Sequence, residues 1–264
     1  MHIRYLITAL ITAICSATAT AAEAADSLRV LFIGNSYTYY HEMPRMVAEM
    51  GGTIGSSPKI NIAYTQITPG GWSLQRHWEG DDVQKALRRG CWDYVVIQEN
   101  SSLPARPSTE VARDTYTYAW KIDSLAKAEN PGVTTIMYMT WGHKDGCLRP
   151  VEGYPMIDTY AGMQQRLIQS YLEMAYMCGA ECAPVGMAWQ QFRAEHPYDT
   201  LYWPDGTHPS VLGSYLAANV IFATITQRPY QCTYTAGLEP RMAEYVQQLA
   251  QRTVFDNRRL LNIK

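Results

Sequence analysis

The chain has 264 residues, 47% hydrophobic and 17% charged, with a formal net charge of -2 and a pI near 6.3. That composition fits a soluble globular protein with enough apolar residues for one sizeable core. The near-neutral balance gives no basis for nucleic acid or an anionic membrane as a partner.

The N-terminus reads as an export signal. His2 and Arg4 form a short basic region and Tyr5 to Ile14 an apolar stretch, followed by Ala-rich sequence in which Ala22-Glu23-Ala24 offers an A-x-A cleavage site. Residues 1–25 are therefore expected to be a signal peptide, with export to a periplasm or beyond, and 26–264 a single domain with no dividing linker. Ile14 stands before Cys15 where a lipobox has a small residue, so lipid anchoring is not expected. The apolar stretch is too short for a membrane span, and no other segment approaches one.

Past the signal, Val30 to Ile33 is a continuous apolar run of the kind that fits a strand buried on both faces. It breaks at Gly34, and Ser36 follows. Beyond it Pro44 opens an amphipathic segment with Met43, Met46, Val47 and Met50 at helical spacing. Further strands are expected at Ile60 to Gln66, Tyr94 to Gln98 and Thr134 to Thr140, with an edge-like fifth at Ala183 to Val185 because of Pro184. Helices are expected over Leu74 to Leu87, Thr109 to Glu129, Met156 to Met177, Val211 to Ile225 and Met242 to Val254. The alternation predicts a three-layer α/β domain whose mainly parallel sheet puts every strand's carboxyl end on one edge. Ser36, at a strand-to-helix junction, then lies where open α/β sheets place their ligands.

The five cysteines left after the signal, Cys91, Cys147, Cys178, Cys182 and Cys232, are odd in number, so at least one stays free or pairs between chains. Export permits disulfides, and Cys178 and Cys182 are the first pair to test. No second cysteine pair or paired histidine stands at ligand spacing, which argues against zinc. The 19 tyrosines and 7 tryptophans either fill the core or offer apolar faces with polar tips to a carbohydrate ligand.

Near the C-terminus, Asp205 and His208 stand three residues apart in a Gly/Pro-bounded loop before the Val211 helix. A carboxylate at that spacing reaches the imidazole on its own loop, fixing its tautomer while the other ring nitrogen serves a serine hydroxyl. With Ser36 this gives the chain order Ser, Asp, His. At these residues the chain resembles the SGNH hydrolases, or GDSL esterase/lipase family. Gly34-Asn35-Ser36 stands for that family's Gly-Asp-Ser, as in one branch with asparagine, and Asp205-Gly-Thr-His208 for its Asp-x-x-His.

The resemblance spans most of the chain after the signal and implies a flavodoxin-like α/β/α fold with a five-stranded sheet. It implies a serine ester hydrolase using Ser36, His208 and Asp205, with no metal or organic cofactor. For the oxyanion it points to the N–H of Ser36, to Gly71 (with Gly70 the near alternative) and to the side chain of Asn100, aligned with the asparagine of Gly-x-Asn-Asp; Gln98 is the alternative donor. Glu99, between them, is expected to point away from both. The α/β-hydrolase elbow is absent, since Thr38 replaces its last glycine, and Tyr39 replaces the lysine of Ser-x-x-Lys. His41, His77, His143 and His196 are expected to be structural or solvated.

Export and the aromatic loop residues Trp72, Trp141, Tyr202 and Trp203 favour a small-molecule or glycan ester, acetylated carbohydrate first. A lipase, lysophospholipase or thioesterase substrate is the second enzyme reading. A weakly active or inactive glycan-binding protein on the same scaffold is the reading from another class, motivated by the altered third block.

Overall fold

The computed structural model describes residues 27–55 and 59–264. The expected signal peptide, with Cys15, lies outside the described residues. Five strands, β1 (Leu28–Ile33), β2 (Ile62–Ile67), β3 (Tyr94–Ile97), β4 (Thr134–Tyr138) and β5 (Glu181–Ala183), form one parallel sheet in the order β2-β1-β3-β4-β5. The order reverses between β1 and β3, which opens a crevice at their carboxyl ends. Register levels those ends: Ile33 pairs with Ile67 on one side and Ile97 on the other. Three loops are thereby brought side by side, after Ile67, Ile33 and Ile97.

The helices are α1 (Ser36–Tyr39), α2 (Met43–Thr53), α3 (Leu74–Glu79), α4 (Asp81–Leu87), α5 (Ser108–Val111), α6 (Thr117–Glu129), α7 (Tyr160–Cys178), α8 (Val185–Glu195), α9 (Val211–Thr226) and α10 (Pro240–Phe255). α2 and α9 pack together on one face with α10 outside α9, and α3, α4, α6 and α7 line the other. Gly213 to Ile225 of α9 are all buried, as an all-round apolar helix between sheet and α10 must be. The result is the three-layer α/β/α fold expected from the sequence. No helix among the described residues is long and apolar enough to cross a membrane.

Local breaks depart from the expected helices. Leu74 to Leu87 divides at Gly80, whose ψ of 156° is extended. By contrast, a π-helical turn over Ala112–Tyr116 joins α5 to α6 without a break, so the helix expected over Thr109 to Glu129 is continuous. The helix α8 was not expected, although its buried Val185, Ala188, Trp189 and Phe192 carry the i, i+3, i+4, i+7 stripe. The fifth strand is Glu181–Ala183, two residues earlier than the expected Ala183 to Val185, and Pro184 stands instead at the N-cap of α8.

Cys178 and Cys182, the first pair to test, are not joined. Both are buried free thiols, one closing α7 and the other within β5, and Cys91, Cys147 and Cys232 are free as well. Burial raises the Cys178 thiol to about 12 and the Cys182 thiol further, which keeps both protonated.

Candidate active site

Ser36 is the first residue of α1, directly after the β1 turn. Asn35 caps that helix, its Oδ1 accepting the Tyr37 N–H at 3.1 Å. Its Nδ2 donates to the Trp72 carbonyl at 2.9 Å and so ties the first loop to the second. An ionised aspartate at position 35 would meet that carbonyl with a second acceptor, so here the amide suits the contact.

The turn is held from below by Gln98. Its Oε1 accepts the Asn35 N–H and the Thr38 hydroxyl, each at 2.9 Å, while its Nε2 donates to the Glu99 carbonyl. Gln98 is fully buried. A Cβ at position 34 would stand 2.5 Å from Gln98 Oε1 and from Thr38 Oγ1, so glycine there permits the close approach. His77 closes the underside: its Nε2 donates to the Gly34 carbonyl at 2.7 Å, and burial depresses its pKa against the pull of that bond.

Asp205 and His208 share a tight loop. Asp205 Oδ1 accepts the N–H groups of Thr207 and His208, each at 2.9 Å, and Oδ2 meets His208 Nδ1 at 2.5 Å. Burial works against the carboxylate, but the two N–H groups and the imidazole outweigh it and hold Asp205 at about 2. Nδ1 therefore carries the proton shared with Asp205, and Nε2 is left to accept the Ser36 hydroxyl at 2.8 Å. The Tyr40 ring stacks on the imidazole, with centroids 4.5 Å apart and planes at 13°. His41 and Glu42 after it stand at φ 52° and 54°, a left-handed pair that turns the chain from α1 into α2.

The aromatic residues behind this loop are structural. Tyr37 stacks on Trp141 and Trp141 on Trp189, and the Trp141 Nε1 donates to the Thr207 carbonyl at 3.0 Å. Trp141 and Tyr202 are buried, so they brace the loop and offer no sugar platform, contrary to expectation; Trp203 is half exposed and Trp72 partly so.

The oxyanion donors divide. Gly71 stands at φ 71°, a left-handed conformation that glycine accepts freely. Asn100 Oδ1 lies 3.4 Å from the Ser102 N–H and its Nδ2 3.4 Å from the Gly71 carbonyl, so the amide end faces the second loop. Gln98, the expected alternative, is corrected: both ends of its amide are engaged inside the protein. Glu99, expected to point away from both Gln98 and Asn100, is buried and turns back onto the Asn100 backbone. Its Oε1 accepts the N–H of Leu74, at the start of α3, at 3.0 Å and that of Asn100 at 2.5 Å. Burial raises its pKa to about 8 despite these bonds.

Of the remaining histidines, His41 Nδ1 lies 3.0 Å from Ser214 Oγ, and His196 follows α8 and pairs with Asp199 at 3.2 Å. His143 lines a cavity beside Gly71 and Asn100. Among the described residues no cluster of three or more histidine, cysteine or acidic side chains is grouped to hold a metal.

A hydroxyl, an imidazole and a carboxylate in one hydrogen-bonded line, at the carboxyl edge of a doubly wound sheet, define a serine-hydrolase type of site. No protein-family model and no curated protein matches the sequence. Among solved structures, the chain is similar to a protein from Slackia heliotrinireducens described as an SGNH hydrolase, at 29% identity over 76% of this chain and 100% of that one, TM-score 0.59. It shares its fold with a DUF4886 family protein from Bacteroides uniformis (21% identity, 90% and 97% of the two chains, TM-score 0.68). A lipase/acylhydrolase from Enterococcus faecalis shares it too (13%, 78% and 99%, TM-score 0.52). These similarities support an SGNH-type hydrolase whose class of chemistry is the hydrolysis of ester bonds.

Proposed function

We propose that this protein is an exported serine esterase with Ser36 as nucleophile, His208 as general base and Asp205 as its orienting carboxylate, acting on short acyl groups such as acetyl on carbohydrate. The observation that carries the assignment is the line Ser36–His208–Asp205, with 2.8 Å and 2.5 Å between successive atoms.

His208 Nε2 takes the Ser36 proton as Oγ bonds to the ester carbonyl carbon. The oxyanion is met by the Ser36 N–H, one of the helix-start donors with no intrahelical partner, together with the Gly71 N–H and the Asn100 amide. Collapse breaks the bond to the alcohol oxygen, which leaves with the proton from His208. Water then gives a proton to His208 and attacks the acyl-enzyme; the acid departs and Ser36 recovers its proton.

The short-acyl preference rests on the cavity beside Gly71 and Asn100. It measures about 230 Å³ and is walled mostly by polar side chains, with Leu148 the one large apolar member. A long alkyl chain would bury little apolar surface there. The half-exposed Trp203 supports a carbohydrate alcohol, and the composition of residues 1–25 supports export.

A fluorophosphonate probe followed by peptide mass spectrometry tests the nucleophile. The expected adduct is on Ser36 alone and disappears in His208→Ala; absence of labelling in the unaltered protein would overturn the assignment.

A further inference from the structure

The wall of the cavity beside Gly71 and Asn100 carries further polar groups, His143, Ser101 and Arg149, that the proposed reaction does not use. His143 accepts the Leu148 N–H on its Nδ1 at 3.2 Å. A ring nitrogen that accepts is unprotonated, so in the neutral imidazole the proton sits on Nε2, which lies 3.2 Å from Ser101 Oγ. The ring is kept neutral by burial, which lowers its pKa to about 4 against the pull of Asp205. Ser101 thus receives a hydrogen bond from His143, and its own proton is left for Tyr37 beside it or for an acceptor brought into the cavity.

Arg149 lines the same cavity, with Asn100, Ser101, His143 and Thr207. Arg149 is exposed, and its guanidinium forms no ion pair among the described residues. No aspartate or glutamate lines the cavity. A small space edged by hydroxyls, an amide and an arginine, with Asp205 the nearby carboxylate but already engaged by His208 and two backbone N–H groups, is complementary to an anion with planar oxygens.

We propose that this cavity binds a carboxylate carried by the substrate, with Arg149 as its ion partner and Ser101 as a second donor. The inference rests on the esterase reading above and narrows it: the substrate is an ester bearing a carboxylate within a few ångströms of the scissile bond. The carboxylate can belong to the alcohol, as in an acetylated sugar acid, or to the acyl group, as in a half-ester of a short dicarboxylic acid.

Two pairs of substrates separate these sources. Acetylated glucuronic acid is compared with acetylated glucose, and monoethyl succinate with ethyl butyrate, by pH-stat, in the unaltered protein and in Arg149→Gln. The expected result is a higher kcat/KM for the acidic member of one pair, and about a tenfold fall in that acid-to-neutral ratio in the variant, carried mainly by KM. The pair that shows it identifies the source. Equal ratios in both proteins, or a preference that survives Arg149→Gln, would overturn the proposal. Calorimetry of free glucuronate and succinate with Ser36→Ala gives a readout independent of catalysis. Binding lost on adding Arg149→Gln supports the carboxylate site even if no ester is cleaved, and no binding of either anion contradicts it. Hydrolysis of the neutral esters that persists in Ser36→Ala would instead count against the esterase reading itself.

Discussion

The two halves of the candidate catalytic line are held in opposite ways. Ser36 is positioned from the interior, through a turn whose polar groups are met by the buried Gln98 and His77 from distant parts of the chain. His208 is positioned from the surface, by a carboxylate three residues away in its own loop, with side chains 27% and 40% exposed for His208 and Asp205. The Ser36 side depends on tertiary packing, whereas the His208 side depends on a local turn. Changes on the two sides should therefore fail differently: the loop side in rate at nearly constant stability, the interior side in stability and rate together.

The largest effect is expected at Asp205→Asn. Oδ1 of the new amide keeps the two backbone N–H groups that Asp205 now accepts. Its NH2 is then turned to His208 Nδ1, which must become an acceptor, so the proton moves to Nε2 and the ring cannot take one from Ser36. Loss of kcat on the order of 10³- to 10⁴-fold with little change in Tm is the expectation. A matching drop in Tm would show that Asp205 is mainly a fold residue.

Gln98→Leu comes next. It keeps the volume but leaves the Asn35 N–H and the Thr38 hydroxyl buried without their acceptor. The cost should be about 2–4 kcal/mol, or roughly 5–15 °C in Tm, with kcat reduced as the turn loosens. Full activity and an unchanged Tm would mean that the nucleophile turn holds itself.

The smallest effect is at Glu99. Its folded pKa of about 8 lies above its unfolded value near 4.5. Between those values the folded protein binds the extra proton, so its contribution is complete below the lower value and is lost as pH rises through about 8. Glu99→Gln retains an acceptor for the Leu74 and Asn100 N–H groups without the ionisation, and should flatten the fall of Tm between pH 5 and 8. An unaltered slope would place the ionisation elsewhere.

The same contrast decides what could be read in the sequence. The parallel sheet was legible because buried strands are continuous apolar runs, and the site loop because Asp205 and His208 are close enough in sequence for their geometry to be local. Gln98 was read for the wrong role, since its partners Asn35 and Thr38 lie more than 60 positions away or at that distance, and no local pattern reports such pairing. Trp141 and Tyr202 were expected on the active edge because they follow a strand end or precede the site loop. Burial, which sequence position does not reveal, makes them braces. The helix over Val185–Glu195 was different: its apolar stripe was present, but its first residue fell in the strand expected at Ala183 to Val185.

The most direct test of the account is hydrolysis of p-nitrophenyl esters from acetate to decanoate by the protein and by Ser36→Ala. The expected result is activity that is highest on acetate, falls steeply with chain length and disappears in the variant. Equal rates in the two proteins would contradict the role given to Ser36, and a maximum at decanoate would contradict the short-acyl reading of the polar cavity.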